Sequence, residues 1–150
     1  MTHFTRTDSD NTDFINLVSL LDVDLAKRDG DEHAFYAQFN KIATIRNAIV
    51  CYLDDKAIGC GAFREYDESK VEIKRMFVLP EYRGHGIALK ILYELELWAA
   101  ELNYHEFILE TGKKQPEAIG LYKKAGYAVI PSYGQYINVE NSVCMMKTVL

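Results

Sequence analysis

The stretch from Val71 to Leu102 constrains the fold more than any other part of this chain. Val71 to Leu79 is dense in apolar and β-branched residues and reads as a strand, which Pro80 stops. From Ala88 the apolar residues move to helical spacing, at Leu92, Leu95, Ala99 and Leu102. Between strand and helix lies a basic, glycine-rich turn, Arg83-Gly84-His85-Gly86, followed by Ile87. Such a turn aims several backbone N–H groups at one spot, where the following helix adds the positive end of its dipole. It predicts an anion site suited to a phosphate or pyrophosphate. Glycine is needed there because the backbone must approach the anion closely, where a Cβ would collide. Short Gly-x-Gly turns also occur where a strand simply meets a helix, so the surroundings decide between the two.

Those surroundings read as alternating strands and helices. Thr2 to Thr5 is a short strand. Asp10 or Asn11 caps a helix with Phe14, Leu17, Val18, Leu21 and Leu25 on one stripe, ended by Gly30. Asp31 opens a second short helix through Phe39. Strands follow at Asn47–Leu53 and from Ala57 to Tyr66, joined by a turn at Asp54-Asp55-Lys56. Gly59 and Gly61 inside the second of these mark a bulge or a close approach of another element. After the long helix come a strand from Phe107 to Glu110 and a helix with Pro116 in its first turn. Gly126 ends that helix, a strand starts at Tyr127, and a last strand covers Val143 to Val149. The order predicts one α/β domain over residues 1–150, with a mixed sheet that is largely antiparallel at its start.

Composition narrows the function. A net charge of −5 argues against nucleic acid as the main partner, because phosphate backbones demand a basic face. No apolar run reaches membrane-span length, and Met1 to Arg6 lacks the apolar core of a signal peptide. Cys51, Cys60 and Cys144 are odd in number, match no metal spacing and sit beside apolar neighbours. They read as buried reduced thiols, which fits the cytoplasm. With the four histidines scattered, no metal is expected.

The turn resembles motif A of the GNAT superfamily of acyl-coenzyme A-dependent N-acetyltransferases: Arg or Gln, two residues, Gly, one residue, Gly or Ala. Arg83, Gly86 and Ala88 fill it. Glu72 to Val78 is similar to the family's fourth strand, and Glu117 to Tyr127 to its motif B. The resemblance implies a mixed sheet of six to seven strands with helices on both faces. It also implies two central parallel strands, at Val71 and Phe107, that splay apart to admit acetyl-coenzyme A. The coenzyme's pantetheine arm would lie along the main chain of Met76, Phe77 and Val78, with the Met76 N–H facing the thioester oxygen. Its pyrophosphate would sit in the turn formed by Arg83, Gly84, His85, Gly86, Ile87 and Ala88. Where relatives often carry an asparagine that contacts the arm, this chain has Gln115. Lys113 and Lys114 either screen the phosphates or form a solvated turn.

Direct transfer of acetyl to an amine needs a neutral amine, a stabilised oxyanion and a leaving thiolate. One oxyanion donor is worth roughly 3–4 kcal/mol in other enzymes. By resemblance Glu72 is the general base and Tyr122 the general acid. Glu72 stands four residues before Met76, so strand alternation predicts both side chains on one face. Glu72 otherwise pairs with Lys74 or binds substrate, with Glu110 or a chain of water molecules as the alternative base. Tyr122 otherwise belongs to the core. Full proton transfer from tyrosine to a free thiolate is uphill by about 2 kcal/mol at reference pKa values, so a hydrogen bond to the departing sulfur is favoured.

The acceptor is read as a small primary amine or amino acid. The alternatives are a protein N-terminus or lysine as acceptor, and a non-catalytic acyl-coenzyme A-binding domain. Tyr36, Tyr133 and Tyr136 either line the acceptor site or pack. Arg46, Lys74 and Arg75 either hold a substrate carboxylate or are solvated. A homodimer is left open.

Overall fold

The computed structural model describes residues 1–29 and 45–149. The elements run β1 (Thr2–Thr7), α1 (Thr12–Asp29), β2 (Asn47–Leu53), β3 (Lys56–Glu65), β4 (Lys70–Val78), α2 (Ile87–Glu101), β5 (Glu106–Gly112), α3 (Pro116–Lys124), β6 (Ala128–Ile130) and β7 (Ser142–Thr148). Single 3-10 turns lie at Pro80–Tyr82 and Gly134–Tyr136. The strands form one mixed sheet in the order β1-β2-β3-β4-β5-β7-β6. The predicted helix from Asp31 to Phe39, its Gly30 boundary and Tyr36 lie outside the described residues. Elsewhere the sequence places every element within a few residues, with β1 and β5 longer than predicted and β6 starting at Ala128 rather than Tyr127.

Helices cover both faces. The cap of α1 is Asn11, whose Oδ1 accepts the Phe14 N–H at 2.9 Å. The α1 stripe of Phe14, Leu17, Val18 and Leu21 is buried against Val50, Cys60, Ala62 and Phe77. On the opposite face Ile91, Leu92, Leu95 and Ala99 of α2 pack on Ile49, Ile58, Val71 and Ile73. All three cysteines are free and buried, and burial pushes the Cys60 thiol up to about 12. Among the described residues, no helix is long and apolar enough to cross a membrane.

Two features of β4 position the site. The first is its brief pairing with β5. The strands are parallel and register only at Lys70–Glu106, Val71–Phe107 and Glu72–Ile108. Beyond Glu72 they part, and β5 continues to Gly112 paired with β7 on its other side. A V-shaped slot opens between them.

The second is a bulge. The β3–β4 register passes from Cys60–Phe77 to Ala62–Lys74, so Gly61 faces both Arg75 and Met76. Arg75 has φ +62°, in the left-handed region. The extra residue reverses the alternation of side chains. Met76 therefore points toward Ile91 and Leu95, while Glu72 lines the opposite side with Lys74. This corrects the expectation that Glu72 and Met76 share a face: simple alternation holds only in a strand without a bulge.

Gly61 serves that packing. A Cβ there would stand 2.5 Å from Met76 Sδ and 2.9 Å from Ile91 Cγ2 and Leu95 Cδ1. Gly61→Val is expected to destabilise the protein by about 1–3 kcal/mol, the usual cost of overpacking. Denaturant unfolding measures it, and an unchanged midpoint would mean that α2 moves away at little cost.

Candidate active site

Where β4 and β5 part, a cavity of about 110 Å³ opens between the strand ends, α1 and α3. Its wall holds Glu72, Lys74, Arg75 and Met76 from β4, Glu110 from β5, Gln115 at the start of α3, and Tyr122 from that helix. Leu21 and Leu25 of α1 close one side and Tyr136 another. The structure thus brings the predicted residues Glu72, Met76, Gln115 and Tyr122, with the further candidates Lys74, Arg75, Glu110 and Tyr136, into one chamber at the mouth of the slot. Arg46 is exposed and takes no part in it.

Tyr122 is buried, with its ring edge-on to Tyr127 at 5.8 Å. Among the described residues its hydroxyl has no hydrogen-bond partner. Burial, and secondarily the negative charge of Glu110, pushes its pKa well above the ordinary tyrosine value. The hydroxyl therefore keeps its proton at physiological pH and is available as a hydrogen-bond donor.

Glu72 is 2% exposed and fully engaged. One oxygen accepts from Arg64 Nε at 2.9 Å, the other from the Tyr133 hydroxyl at 2.6 Å, and Lys74 Nζ lies 3.7 Å away. Burial lowers the Lys74 pKa, an effect that Glu72 partly offsets. Burial, then the charge of Glu72, raises that of Tyr133. Tyr133 stacks edge-on between Tyr66 and Tyr136, at 5.4 and 5.7 Å, and so ties the 131–136 loop to β4.

The turn after β4 has an open face. Gly84 and Gly86 have φ of +85° and +78°, and a Cβ on either would meet nothing within 4 Å. Within the chain their need is therefore conformational, and the space beside them is free for a ligand. Among the described residues no side chain caps α2 at Gly86, which leaves the first N–H groups of the helix open to a ligand. Arg83 turns inward: Nε donates to the Val78 carbonyl at 2.8 Å and the guanidinium lies over Phe77. It braces the turn against the end of β4. His85, Lys113 and Lys114 are exposed.

Sequence reading placed Lys74 beside Glu72 but missed Arg64 and Tyr133, which hold its two oxygens. Arg64 was within reach of it, because Arg64 and Glu72 are direct cross-strand neighbours once the 66–69 turn sets the register. Asn141 was not. Among the described residues its buried Nδ2 lacks a partner, and it faces Gly112 together with Gln115, each side-chain nitrogen 3.5 Å from where a Cβ would stand. Nothing in the local sequence marks it.

A splayed parallel pair, a bulge at its parting and a helix N-terminus closing the end together make a slot for an extended ligand with an anionic end. Residues 14–127 match the Acetyltransferase (GNAT) family. The chain belongs to the GNAT acetyltransferase family. This GNAT chain is 39% identical over 80 residues to an IAA acetyltransferase of Azospirillum brasilense, covering 53% of this chain and 52% of that one. The chain thus spans about half the length of that curated relative. A candidate acyl-CoA N-acyltransferase from Klebsiella pneumoniae superposes with a TM-score of 0.83 at 29% identity, over 100% of this chain and 99% of that one. A GNAT acetyltransferase of Elizabethkingia anophelis solved with acetyl-CoA bound shares the fold, with a TM-score of 0.70 at 15% identity over 99% and 98% of the two chains.

Proposed function

We propose that this protein transfers the acetyl group of acetyl-CoA to the amine of a small molecule, an amine or amino acid, by direct attack with both substrates bound. The observation that carries this is the convergence of Tyr122, Glu72, Glu110 and Met76 on one cavity at the mouth of the β4–β5 slot. Acetyl-CoA supplies the activated thioester. The residues that would hold it are the main chain of Met76, Phe77 and Val78, the side chain of Gln115, and the turn of Arg83, Gly84, His85, Gly86, Ile87 and Ala88. The unpaired edge of β4 and the free space beside Gly84 and Gly86 fit that assignment.

In this reading the Met76 N–H stabilises the oxyanion, and the bulge supports the role by taking Met76 out of the β3 register. Tyr122 donates a hydrogen bond to the departing sulfur. Glu72 takes the amine proton. Because Arg64 and Tyr133 occupy its two oxygens, a route through a water molecule suits it better than direct contact. The cavity supports a small acceptor over a protein, since α1 and the Tyr136 turn close two of its sides. A panel of amines with acetyl-CoA, read by release of free thiol, tests the reading. Binding of acetyl-CoA without thiol release from any amine would favour a non-catalytic domain.

Glu72→Gln tests the base. A substrate ammonium has a pKa of about 10, so the neutral fraction rises with pH. If Glu72 takes the proton, the mutant rate recovers toward wild type as pH increases. A pH–rate profile with one acceptor decides, run alongside a melting curve because Arg64 loses its partner. A loss equal at every pH would make Glu72 a positioning residue and Glu110 the leading base.

A further inference from the structure

We propose that Arg75 receives a carboxylate carried by the acceptor, so that this cavity selects amino acids over amines of the same skeleton without the acid group. The proposal rests on the transferase reading above and names its substrate class. Arg75 follows Lys74 and precedes Met76 in the bulge of β4, and its side chain lines the cavity. It is 6% exposed, and among the described residues its Nε–H has no hydrogen-bond partner. A buried charged donor left unused is costly, and natural proteins rarely tolerate one without a role. A second cost falls on the same residue. Its φ of +62° is a conformation that glycine adopts freely and that arginine adopts only under strain. Glycine would satisfy the bulge. The side chain is therefore kept against two opposing terms, at the mouth of the slot.

The charges around it point to an anion. Two cations, Lys74 and Arg75, stand nearly buried on this wall. The buried carboxylate on the same wall, Glu72, is already shared by Arg64, Lys74 and Tyr133. Asp22 of α1 acts on Arg75 through space, and Glu110 across the slot acts on Lys74. An arriving carboxylate would take the idle Nε–H together with a second guanidinium N–H, in the paired geometry that arginine offers to planar acids. Arg75 and Met76 are consecutive, which suits an acceptor whose acid and amine are separated by only a few bonds.

The test compares an α-amino acid with its own carboxamide as acceptors, for wild type, Arg75→Gly and Arg75→Lys. Wild type is expected to favour the acid in kcat/KM. In Arg75→Gly the acid-to-amide ratio should fall by about 10- to 100-fold, the worth of a charged hydrogen bond, through KM for the acid. Arg75→Lys should recover part of the ratio, since charge remains and the fork is lost. Arg75→Gly relieves the backbone strain, so folding is expected to survive, and calorimetry with acetyl-CoA checks it. Wild-type turnover of acid and amide at equal efficiency would overturn the carboxylate site and leave the transferase reading standing. The same is true if both variants lose acid and amide in equal proportion. Failure of wild type to acetylate any amine while binding acetyl-CoA would overturn both.

Discussion

Replacing Tyr122 by phenylalanine should lower turnover by about 10²–10⁴-fold, the usual contribution of an acid–base group, with little change in affinity for acetyl-CoA. The substitution removes one oxygen and keeps the ring, so the edge-on contact with Tyr127 and the packing of α3 survive. The oxygen it removes is one that holds its proton firmly. Burial and the charge of Glu110 both raise the Tyr122 pKa, and both therefore favour the protonated donor. The sign of that shift gives a second expectation. Ionisation of Tyr122 should not limit the wild-type rate anywhere in the physiological range, so an alkaline fall in rate must come from another group. Thiol release under saturating substrates, with calorimetry for the coenzyme, measures the effect. Unchanged turnover with a good acceptor would return Tyr122 to the hydrophobic core.

Most of this architecture was legible in the residues because it follows from periodicity. The stripe from Phe14 to Leu21, the Val71 strand and the Leu92–Ala99 helix each bury the side that their spacing marks. The glycine turn was legible because positive φ leaves a signature in residue type. The bulge in β4 was not, since the residue at φ +62° is arginine where glycine would have announced it. That single residue reversed the facing of Met76 relative to Glu72. The Glu72–Tyr133 bond was hidden for another reason: the partners are 61 residues apart, joined through a loop whose path depends on Tyr66 and Tyr136 packing around it. Local chemistry can nominate Glu72, but only the assembled sheet shows that its oxygens are taken.

Gly86→Asp should weaken acetyl-CoA binding on the order of 10²-fold, the worth of about two charge-assisted hydrogen bonds. Gly86 caps α2 at φ +78°, and a side chain there enters open space rather than the protein. Aspartate is among the residues that tolerate this backbone region, and a negative charge at a helix N-terminus is favourable in itself. Folding should therefore survive. The same carboxylate would occupy the space proposed for the pyrophosphate, compete for the helix's first N–H groups and repel the ligand's charge. Gly86→Ala separates the two effects, because it carries the backbone strain without the charge. Calorimetry on the three folded proteins should rank wild type tightest, alanine intermediate and aspartate weakest, with the aspartate deficit shrinking as salt screens the repulsion. Equal affinity in all three would remove the Arg83–Ala88 turn from the coenzyme site and require the anion to bind elsewhere along the slot.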